Sequence, residues 1–125
     1  MITTLLALAA VADDVEIPMT SPRAQVAQVV GVTDVRVDYS RPGARGRTIW
    51  GELVPYGEVW RTGANQATVV EVEDDVRVGG KPLPAGRYGL YTIPGASEWT
   101  VIFNGNPDQW GSNDYDETRD ALRIT

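Results

Sequence analysis

The chain has neither cysteine nor histidine among its 125 residues. That removes disulfides, thiolate and imidazole nucleophiles, Ser–His catalysis and essentially every ordinary zinc, copper or haem site. Positive charge is also scarce. Eleven Lys and Arg stand against 17 Asp and Glu, for a formal net charge of −6 and a pI near 4.5. Such a surface repels phosphate backbones and anionic lipid, so nucleic acid is not an expected partner. No apolar run reaches the roughly 20 residues needed to span a bilayer, and no stable membrane anchor is expected. Any chemistry must run on carboxylates, Arg, Lys, Tyr or hydroxyls. No cofactor or metal is expected, and a non-catalytic role is favoured over an enzymatic one.

What is present suits one small folded unit. Hydrophobic residues make up 42% and charged residues 22%, an ordinary globular balance far from that of disordered chains. Ile2 to Ala12 is apolar and uncharged and ends in Ala10-Val11-Ala12, the small-x-small form of a leader cleavage site. The expected organisation is a signal-peptide-like segment at 1–12, a linker at 13–23 holding Pro18 and Pro22, and one β domain at 24–125. The expected location is outside the cytoplasm.

In 32–39, Val35, Val37 and Tyr39 alternate with Asp34, Arg36 and Asp38, the period-two pattern of a half-buried strand. The run 67–73 is rich in β-formers. Val76-Arg77-Val78 precedes Gly79-Gly80, a pair able to take the positive φ angles of a hairpin turn. The proline-rich stretch 81–86 reads as a connector, 87–93 as a strand, and Pro94-Gly95 as a turn. Trp99, Val101 and Phe103 are expected on one face of the strongest strand, with a last strand in 119–125. Only 48–53 reads as a short helical turn. The fold class expected is all-β, an antiparallel β-sandwich or partly open barrel, possibly lacking C-terminal strands.

The stretch Tyr39-Ser40-Arg41-Pro42, the cluster Arg45-Gly46-Arg47 and the run from Gly51-Glu52-Leu53 through Trp60-Arg61-Thr62-Gly63-Ala64-Asn65 resemble a known family. So do Leu83-Pro84-Ala85-Gly86-Arg87-Tyr88, Ile93-Pro94, Glu98-Trp99-Thr100, Asn104 and Gln109-Trp110-Gly111. The chain resembles the bacterial domain-of-unknown-function family 2911 over most of its length from Ser21 onward. The resemblance implies an exported, β-rich protein and carries no activity with it. Members usually continue with further β-structure beyond the position of Thr125, so an unpaired sheet edge and a homo-oligomer built across it are a third possibility.

The densest candidate site is 56–65, where Tyr56, Glu58, Trp60, Arg61 and Asn65 crowd between Gly57 and Gly63. Trp offers a flat apolar face, Arg a planar fork for carboxylate or phosphate, and Asn paired donor and acceptor groups. Together they suit a carbohydrate-like or small anionic ligand. A purely structural reading stands beside this one: glycine turns, Trp60 as core and an Arg61–Glu58 tie. Arg41, Arg45 and Arg47 form either a local anion patch, with Arg47 the candidate ligand, or ordinary surface ion pairs. Of four tryptophans, Trp110 is the candidate for an exposed face. The stretch 104–117 is rich in oxygen ligands but fails the helix-loop-helix calcium pattern, so self-capped turns are expected over calcium. The remaining alternative is a carboxylate-based hydrolase centred on Glu58.

Overall fold

The computed structural model describes residues 17–125; the leader-like segment 1–12 and positions 13–16 of the linker lie outside the described residues. Eight strands follow in order: β1 Arg23–Val30, β2 Thr33–Ser40, β3 Thr68–Val72, β4 Val76–Val78, β5 Lys81–Leu83, β6 Gly86–Ile93, β7 Thr100–Asn104 and β8 Asp120–Ile124. Six form one antiparallel sheet of order β1-β2-β3-β6-β7-β8, and β4-β5 form a separate two-stranded ribbon. The sheet does not close into a barrel. With the ribbon packed over one face, the arrangement is sandwich-like.

The alternation expected in β2 is observed, because Val35 and Val37 pair with Val72 and Val70 across the ladder and share their face. That face carries the larger core: Val70, Val72, Tyr88, Phe103 and Leu122 from the sheet, closed by Leu83, Val76 and Val78 of the ribbon. Fully burying such a side chain contributes about 1.5–3 kcal/mol. The opposite face has a smaller core of Ala67, Tyr91 and Ile102, all at 0% exposure, against Val59, Ile93 and Tyr115 from the loops. Gly79 and Gly80 turn the ribbon with φ of 57° and 77°, as a type I′ hairpin turn requires.

The structure departs from the sequence expectations at four places. Lys81–Leu83 is a strand, not a connector. Pro82 is tolerated because it lies opposite Arg77, one position from the turn-closing pair Val78–Lys81, where its missing N–H is not needed by the ladder. Trp99 precedes β7 and packs on Trp50 and Trp60 (centroids 4.9 and 6.3 Å away) rather than in the core holding Val101 and Phe103. β1, with its turn at Gly31-Val32, was not predicted. The stretch 48–53 is a turn closed by Glu52 N–H to Ile49 O and Val54 N–H to Ile49 O, and the only helical turn among the described residues is a 3-10 turn at Glu117–Arg119.

The sheet's two edges differ. β8 carries Asp120 and Arg123, and Lys81 of the ribbon donates to the Arg123 carbonyl at 3.1 Å. β1 has no charge beyond Arg23, and it exposes Val26, Val29 and Val30 by 56–62%.

Candidate functional site

Two loops that carry no regular structure lie between β2 and β3, and they fold against each other. The first, 41–54, leaves β2 with Arg41 N–H bound to Pro22 O at 2.9 Å. The second, 56–66, is pinned to the sheet by reciprocal backbone bonds between Trp60 and Thr92 (2.8 and 3.0 Å) and by Thr68 N–H to Arg61 O at 3.2 Å. Thr68 Oγ1 donates to Thr62 O at 2.7 Å, and Trp60 Nε1 donates to Gly63 O at 3.2 Å. The loop is thus held by β3 and β6, the middle strands of the sheet.

Between the two loops lies a cleft of about 520 Å³, within the usual size range of small-molecule pockets. Its wall is part apolar, with Ile49, Trp50, Leu53, Val54 and Trp60, and part cationic, with Arg45, Arg47 and Arg61. Among the described residues no aspartate or glutamate lines it. Trp50, Trp60 and Trp99 meet edge to face at 4.9–6.3 Å and interplanar angles of 70–76°, the geometry favoured by ring quadrupoles. Trp50 and Trp60 line the cleft with Trp99 packed against both, and Trp50 remains 48% exposed.

Among the described residues no carboxylate pairs with these arginines. Arg47 folds back on its own loop, its Nε donating to Ala44 O at 3.0 Å and its Nη2 to Gly43 O at 2.7 Å. Arg61 has a buried Nε with no hydrogen-bond partner. Among the described residues, none of Arg41, Arg45, Arg47 or Arg61 makes an ion pair; the pairs present engage Arg36, Arg87 and Arg123. The expected surface pairing of Arg41, Arg45 and Arg47 and the expected Arg61–Glu58 tie are therefore both absent among these residues. A buried donor left unpaired costs about 1–3 kcal/mol.

Backbone strain gathers at the same place. Among the described residues only Arg45, Thr62 and Asn65 combine a side chain with positive φ (52°, 56° and 57°), and all three belong to these two loops. For β-branched Thr62 this is a true outlier. Such residues persist only where surrounding contacts impose them, and they concentrate at ligand sites.

Of the residues singled out from sequence, Arg47, Trp60 and Arg61 come together in the cleft. Tyr56, Glu58 and Asn65 do not line it. The Tyr56 ring covers Gly51, where a Cβ would come within 2.8 Å of Tyr56 Cε2. Glu58 is exposed and has no second carboxylate across a shared cavity. Asn65 is a turn residue: its Nδ2 donates to Ser21 O at 3.5 Å and its carbonyl accepts from Gly111 N–H at 3.0 Å. Trp110, 65% exposed as expected, lines a different recess. Sequence reading passed over Trp50 and the apolar group Ile49, Leu53 and Val54, whose signal was apolar residues spaced through an otherwise polar loop.

In 104–117 the oxygens are spent on the loop itself. Asn104 Oδ1 accepts Asn106 N–H, Asn106 Oδ1 accepts Asp108 N–H, and Asp116 Oδ1 accepts Thr118 N–H, all at 3.0–3.2 Å. The Thr118 hydroxyl and N–H hold the Asp116 carboxyl below the usual range. Burial pushes the Tyr91 phenol up to about 12. Burial and the Asp120 carboxylate, which accepts the Tyr115 O–H at 2.6 Å, push the Tyr115 phenol up to about 12. Among the described residues no cluster of carboxylates is placed to hold a metal ion.

A family model described as Protein of unknown function (DUF2911) matches residues 21–125. No curated protein and no solved structure matches the chain.

Proposed function

The chain belongs to the family described as Protein of unknown function (DUF2911), and we propose that its domain is a non-catalytic binding module whose cleft takes a small anionic ligand with a flat or apolar portion. The observation that carries this reading is the lining itself: among the described residues it holds three arginines and no carboxylate, in a chain whose net charge is −6. Arg47 is partly committed to the carbonyls of Ala44 and Gly43, so Arg45 and Arg61 are the groups that meet the ligand. Phosphate or carboxylate suits the planar fork of Arg, and the Trp50 and Trp60 rings suit an adjoining aromatic or sugar-ring face.

Calorimetric titration with phenyl phosphate, inorganic phosphate and phenol tests the reading. Phenyl phosphate binds best, inorganic phosphate more weakly, and phenol not measurably. Arg61→Met weakens phenyl phosphate by about tenfold to hundredfold, the worth of a charge-assisted hydrogen bond. Equal binding by wild type and Arg61→Met, or none by either, counts against it.

A second reading, assembly by strand addition, is favoured by the β1 edge. The strand is eight residues long, has no proline or acidic residue, and exposes its valines; edges left this way invite pairing. The occupant we propose is a second copy. Antiparallel self-pairing about Ala27 sets Gln25 against Val29 and Val26 against Gln28, so no like charges meet. Light scattering across a concentration series decides: a concentration-dependent dimer supports it, and a monomer throughout refutes it.

A further inference from the structure

On the far side of Asn65 lies a second recess, of about 370 Å³, bordered by Arg23 of β1, Ala67, Val69 of β3, Arg87 of β6 and the loop carrying Asp108, Gln109 and Trp110. Gln66 closes it, bridging to Trp110 in a short antiparallel contact.

Its chemistry differs from that of the arginine cleft. Arg87 is offset by Glu71 at 3.8 Å and Asp108 at 4.0 Å, and Arg23 donates to Ser40 Oγ at 3.4 Å. Arg87 is thus paired, whereas Arg23 makes no ion pair among the described residues. Gln109 is 6% exposed, and its amide nitrogen is committed to Asn106 O at 2.9 Å and Asn104 Oδ1 at 3.4 Å. This fixes the amide orientation, because the flipped form would set oxygen against oxygen. Its Oε1 is then a buried acceptor with no donor, and it belongs to a residue that borders the recess. The wall behind it is rigid. Asn104, at 0% exposure, donates to Asp116 O and Asp120 Oδ1 at 2.9 and 2.8 Å.

We propose that this recess is a second binding site and that it takes a neutral pyranose ring. A sugar hydroxyl both donates and accepts. The Asp108 carboxylate accepts; the Arg23 and Arg87 guanidinium groups donate; the Gln66 amide does either. Trp110 supplies the exposed flat face on which the C–H side of such a ring packs. Arg87 is already countered by Glu71 and Asp108, which weakens its hold on an anion, and an apolar ligand would leave the polar groups of Gln66, Asp108 and Arg23 without partners.

The test is saturation-transfer NMR and calorimetry with methyl glucoside, methyl galactoside, methyl mannoside and methyl N-acetylglucosaminide. At least one binds saturably, and Trp110→Ala, a change at an exposed side chain that leaves the circular dichroism spectrum unaltered, weakens it about tenfold or more. Phenyl phosphate binding is unchanged by Trp110→Ala, and pyranoside binding is unchanged by Arg61→Met, so failure of either site is read independently. The proposal is overturned if none of the four binds, if Trp110→Ala binds as tightly as wild type, or if phenyl phosphate displaces the sugar competitively. An ordered water alone on Gln109 gives the first of these results.

Discussion

The arginine cleft and the Trp110 recess both combine Trp with Arg, the cleft's arginines on loops and the recess's on strands β1 and β6. They differ in what the arginines face. Among the described residues Arg45, Arg47 and Arg61 line a wall without carboxylates, whereas Arg87, one of the recess's two arginines, lies within 4.0 Å of both Glu71 and Asp108. On the proposal made above, this difference in pairing is what separates the two ligand classes. The first surface is suited to an anion, the second to a neutral polyol.

The comparison breaks most strongly at Gly89. A Cβ there would stand 2.8 Å from Asn106 O and 3.0 Å from Tyr91 Cε2, so the loop bearing Gln109 must move. Gly89→Ala is expected to destabilise by about 2–4 kcal/mol in urea unfolding. It should abolish pyranoside binding while leaving phenyl phosphate binding within about twofold of wild type.

A smaller effect comes from alkali. Tyr91 and Tyr115 belong to the core and loop behind the recess, and their phenols are raised from 10.0 to about 12. The folded state holds these protons more tightly than the unfolded chain. Their stabilising contribution is complete below pH 10 and is lost as pH rises toward 12, on the order of 2 kcal/mol per group at most. Phenolate absorbance should show Tyr91 and Tyr115 titrating late, with Tyr88 also raised by its burial and by Asp75, and recess binding should fade before the cleft's.

Smaller still is the response to salt. Taking ionic strength from about 0.01 M to about 1 M shortens the screening length about tenfold. Phenyl phosphate affinity should fall by about tenfold, and pyranoside affinity should stay constant. An equal fall in both would erase the distinction drawn between the two sites.

The strands that bury one face were legible because burial imposes alternation. Val35, Val37 and Tyr39 show it in β2, and the β-rich run 67–73 contains β3. β1 was not, since an edge strand exposed on both sides has nothing to enforce a period; its valines at 26, 29 and 30 follow none. Pro82 misled for a related reason, because it marks the edge of a two-stranded ribbon rather than the end of pairing. At the site, Arg47, Trp60 and Arg61 stood out by type, and Trp110 by its setting. Their division into two cavities depends on the 41–54 loop folding over 60–64 and on Arg87 finding acids distant in sequence. Neither is local.

The central claim is that the Arg61 cleft is the anion site. The four indole N–H signals of Trp50, Trp60, Trp99 and Trp110 report on it directly in a proton–nitrogen NMR titration with phenyl phosphate. The account predicts saturable shifts at Trp50 and Trp60, a weaker one at Trp99 and none at Trp110. Shifts confined to Trp110, or no saturable shift at Trp50 and Trp60, would contradict it.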